Sequence, residues 1–127
     1  MVEKLNIFRR RNSETLISNR VITDLYTSSS IHTEEYRKFV LYLDIDSTGQ
    51  PTDILFDVEF SDDNLNWYKL TDWWYGDLRY TAAQTANGIK ESMGYYIQGR
   101  YVRLVATVAG GSIGNDFTVT AKMEFYN

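Results

Sequence analysis

Phe117–Phe125 reads FTVTAKMEF, and this stretch decides the fold. Phe117, Val119, Ala121, Met123 and Phe125 fall on one side of an extended chain, with Thr118, Thr120, Lys122 and Glu124 on the other. Successive side chains of a strand point to opposite faces, so this alternation marks a strand with one dry face and one wet face. The preceding segment, Tyr101–Val108, repeats the pattern with Val102, Leu104, Ala106 and Val108 inward. Gly110, Gly111 and Gly114 between the two segments read as turn glycines. They follow a strand but open no helix, so they form no phosphate loop.

Further from this pair, Phe39, Leu41, Leu43 and Ile45 alternate within Lys38–Asp46, and Phe56, Val58 and Phe60 within Ile54–Phe60, where Asp57 and Glu59 face out. Polar turns at Ser47–Asp53 and Ser61–Asn66 separate these strands. One-sided burial belongs to antiparallel sheets, since buried parallel strands read as continuous apolar runs. The expectation is an all-β chain of roughly seven or eight strands, forming two packed antiparallel sheets or a barrel.

Other segments are less regular. Glu14–Thr23 reads as a first strand, and Asp24–Glu35, rich in Ser and Thr, as a loop. Trp67–Trp74 reads as extended. Tyr75–Gly99 holds a loop at QTANG and a strand around Tyr95–Ile97, and its one helix candidate, Ala82–Gly94, is broken by Gly88. Met1–Asn12 has no period and is taken as an N-terminal arm or edge strand, leaving residues 13–127 as a single β-sandwich domain. The length of 127 residues suits one core rather than two.

There is no Cys, which excludes disulfides, thiolate metal sites and a thiol nucleophile. No apolar run reaches the roughly 18 residues of a membrane span, and the basic N-terminus has no apolar segment behind it to make a signal peptide. Neither a membrane nor a cofactor is expected. The net charge of −4 argues against general nucleic-acid binding. The charge is uneven: in the first eleven residues Lys4, Arg9, Arg10 and Arg11 outweigh Glu3 for a balance of +3, so the rest carries −7. A basic arm on an acidic body is either a solvated terminus or a device for docking on a neighbour.

Two segments carry a resemblance. Ser61–Leu70, SDDNLNWYKL, is similar to the Ser-x-Asp-Gly-x-x-Trp turn of discoidin-like, galactose-binding-type β-sandwiches, with Asn64 where that family has Gly. Asn tolerates the left-handed backbone, so the turn survives the exchange. Arg100–Thr107, RYVRLVAT, is similar to a strand of the same superfamily. The order of Thr15-Leu16, Leu43-Asp44, Ser61-Asp62-Asp63, Tyr101-Val102-Arg103 and Asp116-Phe117 through Ala121 also resembles small β-sandwich structural proteins of tailed-bacteriophage virions. The resemblance implies a jelly-roll or discoidin-like sandwich and a virion component, assembled in the host cytoplasm. A head decoration protein comes first, with a neck or tail accessory as the other placement.

His32, the only histidine, has no ligand or base partner at motif spacing and reads as a surface residue. Asp44, Asp46, Asp57, Glu59, Asp62 and Asp63 occupy strand faces and turns, where solvating and turn-forming roles outweigh a Ca²⁺ site or a hydrolytic pair. Trp73, Trp74 and Tyr75 form the densest aromatic run. Adjacent residues of an extended segment face opposite ways, so one Trp belongs in the core. The other is left as an edge-packing residue, an interface anchor or a sugar platform. The reading is therefore a non-enzymatic virion structural protein stabilising the head by multivalent contacts, with the major capsid protein or other virion proteins and its own copies as partners. Its contact residues would be Lys4, Arg9, Arg10 and Arg11 in the arm and Trp73, Trp74 and Tyr75 in the domain. A carbohydrate-binding module is the alternative.

Overall fold

The structure, a computed structural model, describes the backbone of residues 10–127 and the side chains from Asn12 onward. Two antiparallel sheets pack face to face. The first holds β1 (Arg10–Ile22), β10 (Asp116–Tyr126), β4 (Lys38–Thr48) and β8 (Ile89–Tyr96), in that spatial order. The second runs β2 (Leu25–Thr27), β9 (Tyr101–Ala109), β5 (Asp53–Ser61) and β6 (Tyr68–Lys69). β3 (Ile31–His32) adds to the β9 side and β7 (Leu78–Thr81) to the β5 side. The chain changes sheet from β4 to β5 and again from β8 to β9 and from β9 to β10, the wrapping of a jelly roll.

The alternating strands behave as their period requires. Phe39, Leu41, Leu43 and Ile45 of β4 and Phe117, Val119, Ala121, Met123 and Phe125 of β10 are buried, facing Ile54, Phe56 and Val58 of β5 and Val102, Leu104 and Ala106 of β9. Apolar burial on both inner faces is the main force holding the sheets together. Among the described residues β1 is an edge strand of the first sheet, and it is irregular. Its register against β10 shifts at three places, and Asn19 takes a φ of +44° at one of them, with its N–H donating to Thr120 Oγ1 at 3.0 Å. Bulges of this kind twist an edge strand and blunt its capacity to pair with a foreign strand.

Three readings of the sequence need correction, and the helix candidate is cut short as expected. Asp24–Glu35 is not simply a loop, because β2 and β3 lie within it. Their Ser- and Thr-rich connection hugs the edge of β9, where Ser28 donates its N–H to the Leu104 carbonyl at 2.9 Å and its Oγ accepts the Leu104 N–H at 2.9 Å. The strand expected at Tyr95–Ile97 begins six residues earlier, at Ile89, as β8. The helix candidate survives as a single turn, α1 (Ala82–Thr85), capped reciprocally by Thr81 and Gln84, and Gly88 follows at φ +78°. Of the extended run expected at Trp67–Trp74, only Tyr68 and Lys69 pair with β5. With the three shortest strands added, the described residues form ten strands, of which seven are four residues or longer.

Candidate functional site

The outer face of the four-stranded sheet is set by register alone. Tyr96, Lys38 and Tyr126 lie in one cross-strand row, followed by Gly94, Val40 and Glu124, then Ser92, Tyr42 and Lys122, then Lys90, Asp44 and Thr120. All are the outward members of strands whose other side chains fill the core. Row by row the face passes from aromatic, at the end where β1 begins, to ionic, where Lys90 pairs with Asp44.

Trp73 and Trp74 sit beside the aromatic end. They occupy a turn rather than a strand, yet they face opposite ways. Trp73 is buried, with its indole N–H donating to the Gly76 carbonyl at 3.0 Å and its ring against Phe39, Tyr75 and Tyr95. Trp74 is 70% exposed, its ring set edge-on to Tyr95 at 4.8 Å. Two tyrosines lock this turn to the β8 edge. Tyr95 donates its hydroxyl hydrogen to the Asp72 carbonyl at 2.8 Å, and the Tyr75 hydroxyl accepts the Gly94 N–H at 3.3 Å. The open edge of β8 is thereby covered, and the exposed indole is held by a rigid support.

Between Trp74 and the outer row lies a shallow cleft of about 400 Å³, lined by Lys38, Val40, Trp74, Gly94, Tyr96 and Tyr126. A second cleft of about 340 Å³ continues along the sheet over Tyr42, Asp44, Ser92 and Lys122. The Lys38 ammonium lies 5.4 Å from the Tyr96 ring centroid, a cation–π contact. Glu124 Oε1 accepts from both the Tyr126 hydroxyl at 3.0 Å and the Tyr42 hydroxyl at 3.2 Å. Partial burial, with the adjacent Glu124 carboxylate, pushes the Tyr126 phenol up to about 12. Burial beside Glu91, whose carboxylate accepts its hydroxyl at 3.2 Å, does the same for Tyr80. A raised folded-state value means that the neutral phenol is favoured by folding. This stabilisation is complete below pH 10 and is lost as pH rises through about 12. Spectrophotometric titration should therefore show Tyr80 and Tyr126 ionising late, and the thermal midpoint should decline between pH 10 and 12; a midpoint flat across that window would contradict the assignment.

On the other sheet, the Ser61–Trp67 turn forms as its residues dictate. Asn64 takes the left-handed backbone at φ +62°. Ser61 Oγ accepts the Asn64 N–H, and the Asp63 carboxylate accepts the N–H groups of Leu65 and Asn66. These bonds hold the Asp63 carboxyl well below the usual carboxylate range, so Asp63 is a turn-former. Trp67 lies under the Arg103 guanidinium, 4.3 Å from Cζ to the ring centroid, and Arg103 Nε donates to Glu59 Oε1 at 2.8 Å. Glu59 faces outward as expected but is buried beneath this stack. His32 is exposed, 3.7 Å from Glu34 and edge-on to Tyr101.

Of the residues singled out in the sequence, Trp73, Trp74 and Tyr75 come together, with Trp73 as support and Trp74 as the exposed member. Tyr96, Tyr126, Lys38 and Val40 join them, and the sequence reading missed all four. Lys4 and Arg9 lie outside the described residues, as do the side chains of Arg10 and Arg11. The backbone of Arg10 pairs with Tyr126, so the basic run is joined to the aromatic end. Among the described residues no group of three or more His, Cys, Asp or Glu side chains is placed to hold a metal ion.

Fold and face together define a jelly-roll β-sandwich with an aromatic, one-ended outer surface. No protein-family model matches the chain, and no curated protein matches it in sequence. Solved structures similar to it in fold include the PBSX exported protein XepA, at 11% identity and a TM-score of 0.56, over 95% of this chain and 37% of that one. A CBM4 structure is similar at 11% identity and a TM-score of 0.51, over 94% of this chain and 78% of that one. This chain thus spans well under half the length of XepA.

Proposed function

We propose that this chain is a non-enzymatic structural protein of a tailed-phage particle, acting as a head decoration protein. Multivalent contacts between copies and the capsid lattice stabilise the assembled state, since anything that binds only that state shifts the equilibrium toward it. The observation that carries this reading is the exposed Trp74 on a rigid support, beside a cleft at the end of the sandwich where the basic segment joins. Aromatic and Arg anchors around a desolvatable pocket are the residues that dominate protein–protein binding energy. The ordered motifs from Thr15 to Ala121 support the virion setting.

One observation favours a second reading. Trp74, Tyr96 and Tyr126 also offer a stacking plane and hydroxyls beside a cleft of sugar-ring dimensions, as a carbohydrate-binding module would. The two readings separate in one experiment. The purified protein is co-sedimented with expanded phage heads and, separately, melted with a panel of glucans, xylans and galactosides. The structural reading expects wild-type protein in the pellet, Trp74→Ala bound at least tenfold more weakly, and no sugar-dependent rise in melting temperature. A rise with one sugar, abolished by Trp74→Ala, together with no head binding, would overturn it.

A further inference from the structure

Asn87 stands directly before Gly88 in the turn that joins α1 to β8, and Asn-Gly occurs nowhere else in the chain. An asparagine carboxamide can close a five-membered ring onto the backbone nitrogen of the next residue. A glycine in that next place has no Cβ to obstruct the approach and gives the backbone the freedom to make it.

The fold sorts the asparagines from Asn12 to Asn115 by how firmly each is held. Asn12 donates through Nδ2 to Glu14 and accepts the Ser13 N–H. Asn66 Nδ2 donates to Asp63 Oδ2 at 2.7 Å. Asn115 is held at both ends of its carboxamide, by the Gln50 N–H and by Ser112 Oγ. Asn19 and Asn64 precede Arg20 and Leu65, whose side chains crowd the attacking nitrogen, and the Leu65 N–H is itself bound to the Asp63 carboxylate. Asn87 is exposed, and among the described residues nothing hydrogen-bonds its carboxamide.

Its nucleophile is only lightly restrained. The Gly88 N–H donates to the Thr85 carbonyl at 3.0 Å, in a surface turn that follows a helix of four residues. One neutral hydrogen bond of this kind is worth about a factor of ten at most, and surface turns open locally at low cost. The glycine, by contrast, is fixed by the fold. Gly88 has φ +78°, and a Cβ there would lie 2.6 Å from Asp46 Oδ1. The structure thus keeps the susceptible glycine in place and leaves the asparagine beside it unprotected.

We propose that Asn87 is a site of spontaneous deamidation in the folded protein, independent of the role of the Trp74 surface. The Gly88 backbone nitrogen bonds to Asn87 Cγ and gives up its proton. The Cγ–Nδ2 bond breaks, and Nδ2 departs with that proton as ammonia, leaving a succinimide. Water then opens the ring. Cleavage at Cγ yields aspartate, whereas cleavage at the Asn87 backbone carbonyl yields isoaspartate, with the main chain routed through the β-carbon. No electrons are exchanged. Either product adds one negative charge to a chain of net charge −4, one residue from the glycine that abuts Asp46. The isoaspartate also lengthens the backbone just before Ile89, where β8 begins to pair with β4.

The test is peptide mapping by mass spectrometry of full-length protein held at physiological temperature and mildly alkaline pH, folded and in urea. The peptide carrying Asn87 should be the first described asparagine peptide to exchange its amide for a carboxyl, with isoaspartate among the products. Conversion in urea should be faster by no more than about tenfold. Asn87→Gln, an exposed and conservative change, should remove the acidic species. Folded protein that keeps Asn87 wholly intact while the urea-unfolded chain has converted, aspartate without isoaspartate, or earlier conversion at another described asparagine overturns the proposal.

Discussion

Trp73→Ala should lower stability by about 3–5 kcal/mol, the ordinary cost of emptying a large aromatic site in a core. Trp73 joins the two parts of the molecule that matter most here. Its ring packs on Phe39 of β4 and Tyr95 of β8, and its N–H holds the turn at Gly76. Truncation leaves a cavity under the cleft and frees the support of Trp74. For a domain of this length the melting midpoint should fall by roughly 10–20 °C. Trp74→Ala, one residue away, removes a 70% exposed ring and should barely move it. Thermal melts of the two variants side by side check this; equal midpoints would mean that the buried and exposed roles have been misassigned.

Arg103→Met should cost about 3 kcal/mol, for a different reason. Glu59 keeps only 12% of its side-chain surface, and the Arg103 guanidinium is the cation within reach of it, itself 27% exposed. Removing one partner of a largely buried pair strands the other charge, and the Trp67 stack is lost too. The nearby Lys69 is directed to Asp57 at 3.6 Å and offers no ready replacement. Replacing both partners by apolar groups removes the stranded charge, so Glu59→Met with Arg103→Met should recover much of the loss. Urea unfolding of the two single variants and the double variant gives the coupling directly. Additive losses would show that the pair is not coupled.

The central strands were legible because their period is strict. Phe117–Phe125 and Phe39–Ile45 could hardly be anything but half-buried strands, and Asn64 could be assigned a left-handed backbone from the turn it completes. The split of Trp73 from Trp74 was also legible, although it is made by a turn rather than by strand alternation. Ile89–Gly94 was missed because Lys90, Glu91, Ser92 and Gly94 are poor strand formers; their strand exists because β4 offers a long partner. The cleft was invisible for a related reason. Tyr96, Lys38 and Tyr126 are distant in sequence and become neighbours only through register between β8, β4 and β10. The one available signal was that each lies at an outward position near a strand end.

The most direct test of the proposed structural role is quantitative mass spectrometry of purified, genome-filled phage particles released from cells whose genome encodes this sequence. The account predicts this chain in the particles in multiple copies, bound strongly enough to survive density-gradient purification. Its absence from particles, with the protein free in the lysate, would contradict the account and move the Trp74 cleft to the carbohydrate reading.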